Sequence, residues 1–460
     1  MNFYGSVFLL AVAVLLLTRY PVTWSLVRFL QLSSWVKFGV LELMIAGVVL
    51  GYVLTKPFWM DYTENRVVVV IGCLAVIEGL FLIFAESYMR RLTKLILSNY
   101  YKFAIPVALF LVGLGCYIVL WSYVGNLRDI STCESDQQLS VICDVDYPED
   151  LVLTPDGHFF IAPQFGGIGP SVEPENRRTG RLSLVNIVEQ TVRDLDIKIS
   201  DNTWGDGLCE RSKDELMEPH GIDLVQRGDG TYQLAVIDHY SGDSIEMFEL
   251  ISTDLSWTLV WRGCVSVPEV YYLNDVSLLE DGSFYVSHMY HPNFGIVDLW
   301  LAGLFKYNTG YVMRWDQEYG FGQVPGSEGA YPNGLIYDLE KELLYVAHTL
   351  GDRIDVLDMA TRTILATFYL NSPDNLIMKD GFIWATSWDH ELLDIIPCEG
   401  NFPCALPFSV YQLEPLTLDL IDEWHFDRPK MGMPTVSYPL DNRIWIGSAY
   451  SERIGVYVKR

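Results

Sequence analysis

Positive charge is scarce in most of this 460-residue chain, which has 31 Lys and Arg against 58 Asp and Glu. Ten of the bases stand in residues 1–128 beside five acids, so residues 129–460 keep 21 bases against 53 acids, a net charge of −32. An acidic surface of that kind repels phosphate, which excludes nucleic acid as a partner. Other absences narrow the field. No cysteine spacing resembles a zinc site, no Asn-x-Ser/Thr sequon occurs after residue 128, and no long helical periodicity runs through residues 144–460. An acidic disordered tail is excluded as well, because the chain carries 27 Tyr, 22 Phe and 13 Trp, too much aromatic surface to stay unfolded.

What is there divides in two. Residues 1–128 hold apolar runs near 3–18, 38–54, 67–86 and 103–124, and about 20 apolar helical residues cross a hydrocarbon core of about 30 Å. The first run has no basic residue before it and no small-residue cleavage pattern after it, so it reads as a retained span rather than a signal peptide. Trp24, Trp35, Trp59, Tyr100 and Trp121 stand near span ends, where rings with a polar tip meet headgroups. Arg19, Arg28 and Lys37 follow the first run and Arg90, Arg91, Lys94 and Lys102 the third, whereas Lys56 and Arg66 lie between the second and third. Four spans therefore put the seven-base side in the cytoplasm and residues 129–460 in an extracellular or lumenal space, anchored to the lipid bilayer. The spans also offer a surface for homo-oligomers. Glu42 and Glu78 interrupt the second and third runs, where a carboxyl is costly unless it faces other helices.

Cys73 and Cys116 fall within spans, while Cys133, Cys143, Cys209, Cys264, Cys398 and Cys404 fall in the acidic part. Six cysteines in an exported domain suit disulfides, with 15 pairings open. The apolar runs after residue 144 are short, rich in Val, Ile, Leu, Tyr and Trp, and separated by Asp-Gly, Gly-Asp, Pro and Asn turns, an all-β pattern. Six of them repeat: Tyr147-Pro-Glu-Asp-Leu, Glu218-Pro-His-Gly-Ile, Tyr272-Leu-Asn-Asp-Val, Tyr331-Pro-Asn-Gly-Leu, Ser372-Pro-Asp-Asn-Leu and Met433-Pro-Thr-Val-Ser. Anchored on residues 148, 219, 273, 332, 373 and 434, the steps are 71, 54, 59, 41 and 61 residues. Each step accommodates four strands, which predicts a six-bladed β-propeller over 129–460.

In a propeller the innermost strands line a central tunnel, so the starts of those strands converge. Glu149 and Asp150, His220, Asn274 and Asp275, Asn333, and Asp374 and Asn375 occupy that position. Carboxylate and amide oxygens in this number, without cysteine, are the ligand set of calcium.

This ordered set of motifs resembles the paraoxonase/arylesterase family, within the wider group of gluconolactonase-like six-bladed propellers, over about residues 140–460. The resemblance implies two calcium ions. A catalytic ion is held by Glu149, Asn274, Asn333, Asp374 and Asn375, and a structural one by Asp150, Asp275 and the backbone carbonyl of Ile222. It also implies that His220 is a general base and that His239, in Val236-Ile-Asp-His, orients it. Two departures stand out. The family's closing disulfide uses a cysteine in the last blade, and this chain has none after Cys404; and Ser387-Trp388 stands where the family usually has Cys-His. The expected activity is calcium-assisted hydrolysis of a small-molecule lactone or aryl ester. The competing expectation is a calcium-stabilised propeller without catalysis, acting as a folding or assembly factor for membrane proteins. An open pocket above the calcium or one plugged by Trp388 separates the two.

Overall fold

A computed structural model describes residues 2–32, 34–54, 63–120, 128, 130–165, 180–207, 209–212, 215–240, 242–253, 256–389 and 404–459. The chain forms two compact units, Met1–Leu127 and Arg128–Arg460.

The first unit is helical: α1 (Asn2–Leu17), α2 (Tyr20–Leu30), α3 (Val36–Leu54), α4 (Thr63–Phe84), α5 (Glu86–Ser98) and α6 (Tyr100–Leu120). Helices α3 and α4 pack at small residues, since a Cβ on Gly39 would lie 2.6 Å from the Gly79 carbonyl oxygen. The Tyr100 hydroxyl donates to the Leu16 carbonyl at 2.6 Å, which ties α6 to α1. Among the described residues, α3 alone is long and apolar enough to cross a membrane as a single straight helix. The expected spans near 3–18 and 67–86 run instead into second helices, bent by 80° between α1 and α2 and by 112° between α4 and α5. The stretch expected as the fourth span is apolar over Tyr100–Cys116, and its expected end at residues 121–124 lies outside the described residues, as do Lys56, Trp59 and Trp121. The basic stretches expected as loops are thus partly helix. Arg28 is on α2, and Arg90, Arg91 and Lys94 are on α5. Arg90 ion-pairs with Glu86 at 2.6 Å and donates to the Leu30 and Leu32 carbonyls.

The second unit is a six-bladed β-propeller. Its inner strands are Val152–Leu153, Pro219–Gln226, Tyr272–Leu278, Pro332–Asp338, Pro373–Lys379 and Val436–Leu440, each at one edge of its own sheet, and blades 1 to 6 are numbered in that order. Five sheets have four strands, as the repeat length predicts. Blade 2 has a fifth, Ile197–Ile199, which pairs in parallel with Ser256–Ser266. The apolar positions alternate toward the faces between blades, where clusters such as Leu234, Val236, Phe248 and Leu259 exclude water.

Closure occurs without the family's disulfide. Ser140–Ile142 forms the outer strand of blade 6 by pairing antiparallel with Ile454–Val458, so both ends of the propeller chain share one sheet. The buried Arg453 guanidinium fastens the seam by donating to the carbonyls of Ile130, Thr132 and Lys430. Cys133–Cys143 and Cys209–Cys264 are disulfides, and Cys404 is also disulfide-bonded; Cys398 lies outside the described residues.

One backbone feature repeats at the inner strands. The ladder skips from Pro219 to Ile222, from Leu273 to Val276, from Pro332 to Leu335 and from Pro373 to Leu376. Each skip is a bulge that releases two consecutive residues from strict in-and-out alternation. The freed pairs are His220-Gly221, Asn274-Asp275, Asn333-Gly334 and Asp374-Asn375. Glycine is required at two of them by close approach. A Cβ at Gly221 would strike the Asn274 carbonyl of the next blade, and one at Gly334 would lie 2.5 Å from the Cα of Asn375.

Candidate active site

Bulges in blades 3, 4 and 5, with the start of blade 1, bring the side chains of Glu149, Asn274, Asn333, Asp374 and Asn375 to one buried cavity or its immediate wall. All five are buried. Their hydrogen bonds are arranged in one sense. The Asn375 amide N–H group donates to Glu149 Oε1 at 2.8 Å, that of Asn333 donates to Thr349 Oγ1 at 3.0 Å, and Asn274 Nδ2 lies 3.5 Å from His220 Nε2. The amide nitrogens of Asn375 and Asn333 are therefore anchored, while Asn274 Oδ1, Asn333 Oδ1, Asn375 Oδ1 and Glu149 Oε2 are buried without a donor among the described residues. A buried oxygen with no donor costs about 1–3 kcal/mol, and four at one point are costly unless something positive fills the space between them. Hard anionic and amide oxygens in this number fit a calcium ion.

Electrostatics agree. Burial, then the charges of Asp150, Asp374 and Asp275, push the Glu149 carboxyl well above its usual range. Burial foremost also raises Asp374 and Asp275, with the charge of Asp150 adding to each. A cation removes that repulsion. Asp150 and Asp275 are arranged differently from the first group. Asp150 accepts the Leu151 and Ile222 N–H groups at 2.7 and 3.0 Å, and Asp275 accepts those of Val276 and Leu335, both at 2.8 Å. Each carboxylate thus stitches its own blade to the next, and neither leaves an oxygen without a donor. Asp223 does the same between blades 2 and 3, accepting Leu278 N–H at 2.7 Å.

The two predicted histidines meet. His220 Nδ1 lies 3.0 Å from His239 Nε2, and His239 Nδ1 lies 2.7 Å from Asp243 Oδ1. Asp243 Oδ2 accepts Leu273 N–H at 2.8 Å, so this carboxylate is fixed to the strand that carries Asn274. A carboxylate can only accept. With both imidazoles neutral, His239 carries its proton on Nδ1, its Nε2 accepts from His220 Nδ1–H, and the lone pair of His220 is on Nε2. That nitrogen is 3.7 Å from Glu149 Oε1 and faces the oxygen cluster. Burial, reinforced by His239, holds the His220 imidazole well below its usual range. Burial would also lower His239, but the charge and hydrogen bond of Asp243, with Asp238 and Glu218 beyond, raise it. Phe165 stacks on His220 at 4.4 Å and Tyr272 on His239 at 4.7 Å, which keeps both rings from turning.

Asp243 was not legible as a site residue, because nothing marks one acid among so many. Its role gives a test. In Asp243→Asn the amide can donate to His239 Nδ1, which reverses both tautomers and puts a proton on His220 Nε2. We expect kcat of the proposed hydrolysis to fall about 10- to 100-fold with KM little changed, measured by steady-state kinetics; an unaltered kcat would show that the tautomer chain is idle.

The remaining walls are aromatic. Tyr290, Tyr331, Tyr450 and Trp388 line a cavity of about 40 Å³ above the oxygen cluster. Trp388 is buried, with its indole N–H donating to the Pro434 carbonyl at 2.6 Å. Thr435, in the one repeat that supplies no ligand type, bonds through its hydroxyl to the Glu149 carbonyl. His288 stays out of the cavity. Its Nδ1 meets the Tyr272 backbone, and burial pushes it down to about 4. A wider groove of about 580 Å³, between the outer strands of blades 5 and 6 beside Gln138, Trp424 and Tyr457, has no such converging oxygens.

A family model described as Arylesterase matches residues 138–390, and no curated protein matches the chain. Several solved structures are similar at low identity. A luciferin-regenerating enzyme is 14% identical, covering 70% of this chain and 97% of its own, with a TM-score of 0.40. An oxidoreductase of Thermus thermophilus, described as a glucose dehydrogenase, is 13% identical over 70% of this chain and 100% of its own, with a TM-score of 0.40. A periplasmic gluconolactonase of Pseudomonas aeruginosa is 12% identical over 68% and 81%, with a TM-score of 0.38.

Proposed function

This chain belongs to the arylesterase family, and from that premise we propose that its propeller is a calcium-dependent hydrolase of lactones and aryl esters in which His220 is the general base. The hydrolase class follows from the family; the metal, the base and the substrates are our reading. The observation that carries it is the set of four buried oxygens without donors among the described residues, beside the Nε2 of His220, whose Nδ1 is taken up by His239. Glu149, Asn274, Asn333, Asp374 and Asn375 would hold the catalytic ion. When bound, calcium supplies Lewis acidity toward an ester carbonyl oxygen and positive charge for the developing oxyanion. A second ion at Asp150, Asp275 and the Ile222 carbonyl rests on the family resemblance alone.

The chain's own groups do the proton work. His220 Nε2 accepts a proton from a water whose oxygen bonds to the carbonyl carbon, and His239 shares the positive charge through its bond to Nδ1. Asp243 stabilises the cationic pair and fixes its geometry. As the ring or ester C–O bond breaks, the proton passes from His220 to the departing oxygen, giving a hydroxy acid or an acid and alcohol. Phe165 and the tyrosine walls keep bulk water away from the base.

For the helical unit, we read α1, α3, α4 and α6 as four crossings, with α2 and α5 lying along the cytoplasmic headgroups. Bends near a right angle and a basic amphipathic α5 support this. The propeller is then extracellular or lumenal, where its disulfides persist.

The decisive measurement is turnover by the purified, calcium-loaded full chain on a panel of lactones and on phenyl acetate. Hydrolysis of at least one is expected. If a folded, metal-binding protein hydrolyses none, the reading as a non-catalytic assembly factor, which the small cavity beside Trp388 favours, replaces this one.

A further inference from the structure

The turn that carries His239 and Asp243 is held at its base by two buried carboxylates. Asp238 ends the strand Tyr232–Asp238 of blade 2, and Glu246 lies near the start of the next, Ser244–Thr253. Asp238 Oδ1 accepts the Glu218 N–H at 2.7 Å and the Tyr240 N–H at 3.0 Å, and the His239 N–H donates to the Glu218 carbonyl at 3.2 Å. Glu218 stands two residues before His220, so one carboxylate ties together the backbone at both histidines. Glu246 Oε1 accepts from the Ser244 hydroxyl at 2.8 Å and Oε2 from the Trp261 indole N–H at 2.7 Å. Ser244 follows Asp243 directly, which anchors the other end of the turn.

One cation serves both acids. Arg211 Nη1 lies 3.1 Å from Asp238 Oδ2 and 3.4 Å from Glu246 Oε2, with all three side chains only 5–6% exposed. Arg211 Nη2 donates to the Glu215 and Leu216 carbonyls, each at 3.3 Å. Burial raises the Glu246 carboxyl, and so does the charge of Asp238; Arg211 is the first of the groups that bring it back down. With that guanidinium gone the two carboxylates would repel each other in a dry site, and one would have to take up a proton or move toward water. Either change loosens the backbone that Asp238 holds.

Arg211 itself sits on a connecting segment and needs an anchor. It lies two residues after Cys209, whose disulfide to Cys264 fastens the segment to the strand Ser256–Ser266 of blade 2. Asn202 Nδ2 donates to the Cys209 carbonyl at 2.9 Å, and the Cys209 N–H donates to Asp206 Oδ1 at 3.0 Å. Support therefore runs from the disulfide to Arg211, from Arg211 to Asp238 and Glu246, and from these to the turn bearing His239.

We propose that Arg211 is a positioning residue for the histidine pair, acting through Asp238 and Glu246, and that the Cys209–Cys264 disulfide is the tether that keeps it in place. Its effect on turnover rests on the hydrolase reading above; its hold on His239 does not.

The test uses the calcium-loaded full chain in detergent and has two readouts. In the first, diethyl pyrocarbonate labels the histidines and mass spectrometry follows each one. His239 is buried in blade 2 and His348 in blade 4, so both should label slowly in the wild type. In Arg211→Gln, His239 should label about tenfold faster, as expected of a local opening, with His348 unchanged. Arg211→Lys keeps the charge and should restore most of the protection. The double variant Cys209→Ala/Cys264→Ala should behave as Arg211→Gln does, and it carries the same comparison if Arg211→Gln does not fold. In the second readout, kcat should fall about 10- to 100-fold in Arg211→Gln with KM little changed. Unchanged labelling of His239 in the folded variants overturns the proposal. So does a rise shared equally by His348, which would report lost global stability, and so does an unchanged kcat. If the wild type turns over no substrate, the hydrolase reading falls by itself, and the labelling still decides whether Arg211 holds His239.

Discussion

Removing divalent cations with excess EDTA should abolish lactone turnover, lower the melting temperature, and reverse the pH dependence of stability. The first two effects follow from mass action. A metal bound only to the folded chain at about a thousand times its Kd contributes about 4 kcal/mol, which for a propeller of this size is of the order of 10 °C in melting temperature. The third follows from the buried acids. Without a cation, burial and mutual repulsion raise Glu149, Asp275 and Asp374 well above their usual values, and Asp150 to about 6, chiefly by burial. Asp223 is likewise raised to about 6 by burial. The folded metal-free protein therefore holds protons that the unfolded chain releases. Its stability should fall as pH rises from the ordinary carboxylate range, near 4, through about 6 and beyond. The calcium-loaded protein needs those carboxylates ionised, so its stability should fall as pH is lowered through the same interval. Melting scans between pH 5 and 8, with calcium and with EDTA, read both slopes. Full turnover in EDTA, or parallel slopes, would remove the metal from the mechanism.

His220→Gln should lower kcat by about 10²- to 10⁴-fold, the usual contribution of a general base, with the melting temperature nearly unchanged because glutamine fills a similar volume. The wild-type pH profile should also lack an acid limb near 6.5, the ordinary histidine value. Burial, with His239 behind it, holds His220 well below that value, so its lone pair persists into acid. Steady-state rates between pH 5 and 8 test both. Unchanged turnover in a folded His220→Gln protein would mean that another group takes the proton. Reading this variant beside Asp243→Asn separates base from positioning residue, since the first should remove the base outright and the second only misdirect it.

Much of the fold was legible because a propeller writes its period into the chain. The six repeated starts anchored on residues 148, 219, 273, 332, 373 and 434 marked all six inner strands, and the lack of a cysteine after Cys404 already set the family's closing disulfide aside, its place being taken by strand pairing at Ser140–Ile142. The fifth strand of blade 2 was not legible, because Ile197–Ile199 is three residues paired to a distant strand. In the helical unit, hydropathy located apolar runs but missed α2 and α5, whose polar faces interrupt the apolar average that marks a span. The ligand types and both histidines stood out by position. Asp243 and the aromatic walls of the cavity did not, since an acid in a turn and a tyrosine near a strand end are ordinary in any propeller.

Sequence alone determined the number of blades, the residue types at the tunnel and their order, because those depend on a one-dimensional repeat. Only the tertiary structure decided which atoms face inward. Four bulges break the alternation of the inner strands, and acceptor atoms of Glu149 and Thr349 hold the amide nitrogens of Asn375 and Asn333, so that Asn274, Asn333 and Asn375 present their oxygens together with Glu149. With both imidazoles neutral, Asp243 likewise sets the proton on His239 Nδ1 and leaves the lone pair of His220 on Nε2. The scarcity of positive charge in residues 129–460 gains a local meaning there: at the tunnel Glu149, Asp150, Asp275 and Asp374 lie close together, and among the described residues that line the cavity none is lysine or arginine.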